Sequence, residues 1–236
     1  MTRRYSVPSI GPMVPTWVMS VAPGTYWPLF DLRVRTPRIE LRYTDDSLGA
    51  ELAALAARGV HDPAYMPFSH PWTDHASPEI ERNALKWYWT CRSTTCPAAW
   101  TLPFTVIEGG HVVGATDLIA TSFPELREIT TGSWLGLAFQ GVGIGKEMRA
   151  ASLHLGFAGL GALFAHTAAW SDNDASLGVT RSLGYRQVGS ERRLRRNQAT
   201  TLRRFRLSAK QWQSGLRRDD IVLEGLEPCL DLLGLA

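Results

Sequence analysis

The stretch that most constrains the fold runs from Ser133 to Tyr185, where a strand-like run feeds a glycine loop, a helix and a second strand. Ser133-Trp134-Leu135-Gly136-Leu137-Ala138-Phe139 is apolar, with aromatic and branched positions suited to a strand. It passes directly into Gln140-Gly141-Val142-Gly143-Ile144-Gly145, three glycines alternating with two branched apolar residues. From Lys146 to about Gly159 no proline intervenes. Met148, Ala151, Leu155 and Ala158 recur at helical spacing, with a second row at Leu153, Phe157 and Leu160. The spacing predicts a helix buried on more than one face.

A strand that delivers glycines to a helix start can hold an anion. The first helical N–H groups lack intrahelical partners and the helix dipole adds positive charge there, while glycine lets the backbone come close. A ligand-free strand-to-helix turn is the plain alternative. Walker A does not fit, because Gln140 stands where its first glycine belongs and Glu147 where its Ser/Thr belongs. A dinucleotide fingerprint needs glycine at Lys146 or at Met148 and prefers the first βαβ unit. What fits is Q-x-x-G-x-G, through Gln140, Gly143 and Gly145.

This spacing resembles the acetyl-CoA pyrophosphate loop of the GNAT N-acetyltransferase superfamily, and the resemblance continues downstream. Ala162 to Trp170 reads as a strand, followed by Asn173-Asp174-Ala175-Ser176 and then Leu183-Gly184-Tyr185. These are similar to the family's N-x-x-S/A and L-G-F/Y. With Trp134 in the preceding strand, the N-x-x-S form is most similar to the ribosomal-protein N-terminal acetyltransferase branch (Rim-type). The resemblance covers roughly residues 40–207.

The resemblance implies an α/β GNAT (acyl-CoA N-acyltransferase) fold: a mixed, mostly antiparallel twisted sheet flanked by helices, its central strands splayed. It implies acetyl-CoA as co-substrate, with the pantetheine arm adding to the backbone of Leu137 and Phe139. The pyrophosphate would lie on Gln140, Gly141, Val142, Gly143, Ile144, Gly145 and Lys146, with Asn173 beside it. The reaction implied is direct attack of a primary amine, of a protein N-terminus or a small molecule, on the thioester in a ternary complex. Glu128, six residues before Trp134 and of the same strand parity, is the expected base. The family's usual acidic position corresponds to Thr130, so Asp117 is a second candidate and Glu108 a remote third. Thr180 stands where many members place a tyrosine acid, which leaves Ser176 as the expected proton donor. The bland readings are an exposed strand charge for Glu128 and a helix-start hydroxyl for Ser176. An aminoglycoside-type acetyltransferase and a non-catalytic CoA-binding sensor module are the alternatives on the same fold.

The rest of the chain frames this stretch. A net charge of +3 over 236 residues is too small to argue for nucleic acid. Three cysteines, an odd number without zinc spacing, suggest reduced thiols and a cytoplasmic setting. Residues 1–28, with Pro8, Pro12, Pro15 and Pro23, are expected to be a flexible extension rather than a signal or membrane segment. Two β-rich pieces flank Pro37, Asp45 to Ser47 cap a helix ending at Gly59, and a second helix from Pro78 carries Ile80, Ala84, Trp87 and Tyr88. The proline-rich loop between them holds His61, His70 and His75 and is expected to touch substrate rather than a metal. A hairpin follows around Gly109-Gly110. Past Tyr185, Arg186–Val188 and Thr201–Leu207 are expected as strands around a turn near Asn197, with seven arginines between 192 and 206. The acetyltransferase domain is expected over residues 29–215. The apolar tail, 216–236, is expected to pack on the domain or on a second subunit, giving a homodimer.

Overall fold

The computed structural model describes residues 21–235. Most of the expected N-terminal extension lies outside the described residues. Its end does not: Trp27 donates its indole N–H to Tyr43 Oη at 3.4 Å and packs on the core beside Leu29. The folded part therefore begins ahead of residue 29, the boundary expected above.

Two short strands, β1 (Arg33–Arg35) and β2 (Ile39–Tyr43), precede helices α1 (Asp46–Ala57) and α2 (Glu79–Thr94). The hairpin β3 (Ala99–Glu108) and β4 (His111–Thr121) follows, then a short α3 (Phe123–Leu126) and β5 (Glu128–Leu135). After the glycine loop come α4 (Ile144–His154), β6 (Phe164–Trp170) and α5 (Asp174–Ser182). A long hairpin, β7 (Arg186–Arg195) and β8 (Gln198–Ser208), leads to α6 (Ala209–Gln213) and β9 (Val222–Glu224).

The strands form one sheet in the order β7-β8-β6-β5-β4-β3-β2-β1-β9. Every pairing is antiparallel except β5 with β6, which is parallel and three residues long: Glu128 with Phe164, Ile129 with Ala165, Thr130 with His166. Beyond Thr130 and His166 the two strands part. This is the mixed, mostly antiparallel, splayed sheet expected from the sequence. Caps set the helix starts. Asp45 Oδ1 accepts the Leu48 N–H at 2.8 Å, Asn173 Oδ1 the Ser176 N–H at 3.1 Å, and Ser208 with Gln211 forms a capping box.

The main core lies between the sheet and α4, whose Met148, Ala151, Leu153 and Leu155 are buried against Leu118, Ile129 and Ala165. Smaller clusters fill the opposite face under α1 and α2, through Leu52, Tyr88 and Ala115 and through Ala56, Val60 and Ile80. No described helix is long and apolar enough to cross a membrane.

Several expectations need correction. The strand before the glycine loop stops at Leu135, and Leu137–Phe139 form a helical turn instead. The Leu137 N–H is taken by the Gly59 carbonyl at 3.2 Å and the Phe139 N–H by the Gly136 carbonyl at 2.9 Å, so the chain is drawn off the sheet toward the end of α1. Neither amide is then free to pair with a pantetheine arm, and the open strand edge is the part of β5 beyond Thr130. Trp87 is 47% exposed, because the inner face of α2 is carried by Ile80, Tyr88 and Cys91. The terminal strands run to Arg195 and from Gln198, turning on Arg196 and Asn197 at φ +44° and +67°. Of the two packings expected for the tail, the one on its own domain is found: β9 pairs with β1, and Cys229 and Leu233 are fully buried in the main core.

Candidate active site

The glycine loop is made of backbone. Gly141 and Gly143 stand at φ +75° and +90°, a region that favours glycine, and Gly143 ends the loop as the residue before α4. Among the described residues the N–H groups of Gly141 to Gly145 have no acceptor, and Gly141 to Gly143 are exposed. Five open amides at a helix N-terminus fit a pyrophosphate. The flanking residues behave differently. The Lys146 N–H is spent on the Gly143 carbonyl at 3.2 Å. The Gln140 side chain donates to the Val60 and Leu135 carbonyls at 2.7 and 2.8 Å, which makes it a strut under the loop. Arg38 pins the tip from the β1–β2 turn: Nη1 donates to the Val142 carbonyl at 2.7 Å and Nε to Glu108 at 2.5 Å. A groove lined by Lys146, Ala150, Ser182, Leu216 and Arg218 continues from Gly143 between α4 and α5. Glu147 holds Arg218 there at 2.7 Å, and that ion pair keeps the Glu147 carboxyl below its ordinary range.

Register fixes which side chains share the opposite face of the sheet. Paired residues point the same way, so Asp117 on β4 neighbours Gly132 on β5. On the same face lie Glu128, Thr130 and Trp134 of β5, Phe164, His166, Ala168 and Trp170 of β6, and Arg204 and Arg206 of β8. Thr130, Ala168, Arg204 and Arg206 are exposed, so no helix covers this part of the sheet. It forms the floor of a groove between α2 and the β7–β8 hairpin.

The α1–α2 loop roofs one end of that groove. Trp134 meets Trp72 with ring centroids 5.6 Å apart, Trp72 meets Phe68 at 5.2 Å, and Trp170 Nε1 donates to the Phe68 carbonyl at 3.1 Å. Of the loop histidines, His61 contacts Phe68 and Thr73, while His75 lies 3.5 Å from Glu79. The hairpin turn clamps the loop from the other side. Arg196 forms a two-pronged ion pair with Asp74 and donates to the Pro63 carbonyl at 2.7 Å. Arg195 grips Asp172 at 2.6 and 2.8 Å while its guanidinium sits 5.2 Å from the Tyr65 ring and 5.1 Å from that of Trp170. Both carboxyls are held below their usual range by these arginines.

The two expected bases lie in different surroundings. Glu128 sits where β5 and β6 still pair, its side chain 41% exposed and 3.2 Å from His166 Nε2 without hydrogen-bond alignment. Asp117 lies beyond that point, half-buried and beside Tyr88 and Cys91 of α2. It accepts no hydrogen bond among the described residues, and burial pushes its carboxyl up to about 7. Glycine at 132 leaves the space in front of it open: a Cβ there would lie 3.8 Å from Asp117 Oδ2. Glu108 is at the sheet's far end, bound to Arg38.

At the start of α5, Asn173 spends its side-chain oxygen on the cap. The Ser176 hydroxyl is not the cap and has no hydrogen-bond partner among the described residues. Thr180 is fully buried, its hydroxyl unpaired among the described residues. On the α4 side of the fork, Arg149 is 5% exposed and bridges Ser133 and Thr167. The sequence reading missed Arg38, Arg149 and the Arg195–Arg196 clamp. Arg195 and Arg196 showed only as members of the arginine cluster between 192 and 206, and Arg149 as a lone arginine between Met148 and Ala151 on a helix otherwise apolar on its inner side.

A family model described as "Acetyltransferase (GNAT) domain" matches residues 38–186. Solved structures match across three quarters of the chain. A GCN5-related N-acetyltransferase from Brucella melitensis aligns with TM-score 0.61 and 19% identity, covering 77% of this chain and 80% of its own. An acetyltransferase from T. thermophilus gives TM-score 0.60 and 20% identity, with coverage of 77% and 92%. RimL, a ribosomal-protein alpha-N-acetyltransferase solved with coenzyme A, gives TM-score 0.60 and 16% identity, with coverage of 75% and 97%. At these identities the likeness to the solved structures is one of fold.

Proposed function

Because the chain belongs to the acetyltransferase (GNAT) family, as an acetyl-CoA-dependent acetyltransferase, we propose that it acetylates the terminal amine of a peptide segment that is acidic or neutral, with Asp117 as the base. The charge of the acceptor groove carries this reading. The hairpin from 186 to 208 contains eight arginines and one acidic residue, Glu191. Among the described residues only Arg193, Arg195 and Arg196 of these eight pair with a carboxylate. Arg204 and Arg206 stand exposed along the floor beside Ala168 and His166. A polycationic amine such as an aminoglycoside would meet like charge there, whereas an acidic peptide would be drawn in.

The loop amides of Gly141 to Gly145 would hold the pyrophosphate, and the open edge of β5 beyond Thr130 would receive the pantetheine arm. The amine nitrogen attacks the thioester carbonyl, the carbon–nitrogen bond forms and the carbon–sulfur bond breaks. An α-amine titrates near ~8, so a carboxyl near 7 is matched to take its proton. The departing thiolate, whose parent thiol titrates near ~8.5, takes a proton from water or from Ser176. Steady-state turnover of acetyl-CoA against acidic, neutral and basic peptides, spermidine and an aminoglycoside tests the reading. Acidic peptides should give the highest kcat/KM, falling as salt screens the arginines. An equal or higher kcat/KM for the polycations would overturn it.

A further inference from the structure

Where β5 and β6 part, hydroxyls replace backbone pairing. Thr131 Oγ1 donates to the His166 carbonyl and Thr167 Oγ1 to the Thr131 carbonyl, each at 3.4 Å. One step further out, Arg149 reaches across from α4. Its Nη1 donates to Thr167 Oγ1 and its Nη2 to Ser133 Oγ, both at 3.1 Å. Arg149 is 5% exposed, its Nε has no acceptor, and no carboxylate pairs with it among the described residues. Tyr185, 6% exposed, brings its hydroxyl beside the same guanidinium and Thr131, within their reach but in well-aligned hydrogen bonds with neither among the described residues. A buried cation with an unpaired Nε thus stands at the fork beside a phenol, without a countercharge among the described residues.

Arginine stays protonated in proteins, and a buried charge with no countercharge is strongly unfavourable in every state. Charge on a departing thiolate would relieve it only during the reaction. A ligand with a permanent negative charge relieves it throughout. The pyrophosphate is not that ligand, since Arg149 lies six residues along α4 from Gly143, about 9 Å of helical rise, and the loop amides serve the phosphates. With the pyrophosphate on the loop amides, what would enter the fork from the loop side is the far end of the donor, its acyl group.

We propose that Arg149 and Tyr185 bind the terminal carboxylate of a short dicarboxylic acyl group, of malonyl or succinyl type, which the chain transfers from its CoA thioester as well as acetyl. This rests on the reading of Gly141 to Gly145 as the pyrophosphate loop. The bond changes are those of acetyl transfer: the amine displaces the thiolate at the carbonyl, one proton leaves the amine and one reaches the sulfur. The distal carboxylate remains ionised and unreacted, held by the guanidinium and the phenol.

A purely structural wedge would also place Arg149 at the fork, and ligand discrimination separates the two roles. Calorimetric affinities for CoA, acetyl-CoA, butyryl-CoA and succinyl-CoA should be measured on the wild-type chain, Arg149→Met and Arg149→Lys. Butyryl and succinyl differ only in whether the acyl chain ends in methyl or carboxylate. The wild-type chain should bind succinyl-CoA at least ~10-fold more tightly than butyryl-CoA, the value of a charged hydrogen-bonded contact. Arg149→Met should abolish that preference while leaving the affinity for CoA itself nearly unchanged, and Arg149→Lys should retain part of it. Equal wild-type affinities for succinyl-CoA and butyryl-CoA would overturn the proposal. So would a parallel loss for all four ligands in Arg149→Met, the mark of a wedge. Should Arg149→Met not fold, the wild-type ratio decides alone. CoA binding without a succinyl preference removes this inference only, whereas failure to bind any of the four ligands removes the loop reading with it.

Discussion

The two sides of the β5–β6 fork are built from different material. The glycine loop is one contiguous segment whose working groups are the amides of Gly141 to Gly145, and two of its residues stand at positive φ. The acceptor groove is built from side chains delivered by four strands and the α1–α2 loop, with Asp117, Thr130, Ala168 and Arg204 brought together only by strand order and register. A site made of backbone amides prints itself as glycine spacing, because few other residues adopt the required geometry. A site made of side chains from distant strands leaves no such print.

The largest expected effect tests which carboxylate belongs to the groove. Asp117→Asn should lower kcat/KM by roughly 10²–10⁴-fold, the usual contribution of a general base, while Glu128→Gln should stay near the wild-type rate. The wild-type rate should rise with pH through about 7 as Asp117 ionises. The deficit of Asp117→Asn should shrink above the amine's own pKa, near ~8. The same substitution should stabilise the fold. Asp117 is raised by burial from an ordinary 3.8 to about 7, so the folded state holds its proton where the unfolded chain has lost it. Wild-type stability then falls as pH rises between those values, and Asp117→Asn should gain about 1–3 kcal/mol at pH 8 and almost nothing near pH 4. Thermal melts at both pH values check the sign. Loss of activity in Glu128→Gln with Asp117→Asn unaffected would exchange the two roles.

The other side of the comparison is broken by Gly143→Asp. A Cβ at 143 meets only Arg38 Nη1 at 3.5 Å, the movable end of a side chain, so the strain is confined to the positive φ. The carboxylate would stand among the open amides. The variant should stay folded with a lowered Tm and lose the stabilisation that CoA gives the wild-type chain, which mass action sets at about 2.7 kcal/mol for ligand at 100 times Kd. An undiminished CoA shift would take the loop out of the site.

The same contrast explains what could be read from the sequence. The order of the elements, α4 and the cap at Asp45 follow from local periodicity and capping chemistry, whereas the mixed, splayed sheet is what the family resemblance implies. The strand drawn through Phe139 failed for a tertiary reason: the Gly59 carbonyl, far upstream in the chain, captures the Leu137 amide. Strand parity placed Glu128 correctly on the face of Trp134 but could not say how far along the strand the fork opens. That point depends on where pairing with β6 ends, at Thr130 and His166. Nor could local pattern show that the arginines of the hairpin turn would close over the α1–α2 loop.

The smallest expected effect concerns that closure. Asp74 and Arg196 are 36% and 33% exposed, so their ion pair adds little to global stability. Its value is positional, because it ties the roof of the groove to the hairpin turn, with the Pro63 carbonyl as a second anchor on Arg196. Asp74→Asn keeps the shape and removes the charge. The Tm and CoA affinity should stay close to wild type, since neither the core nor the glycine loop is touched. The acceptor KM should rise a few-fold as the roof samples open positions, with kcat little changed because Asp117 and the fork are undisturbed. Arg196→Lys should give a similar rise, a lysine being unable to hold Asp74 and the Pro63 carbonyl in one fork. The wild-type Asp74 carboxyl is held below its ordinary range by Arg196, so the clamp persists at neutral pH and should loosen only in acid. An acceptor KM unchanged in both variants would make the clamp a surface contact and leave the aromatic contacts among Trp134, Trp72 and Phe68 to hold the roof. A fall in CoA affinity instead would mean that the roof and the loop are coupled through Gln140, whose amide reaches the Val60 carbonyl at the end of α1.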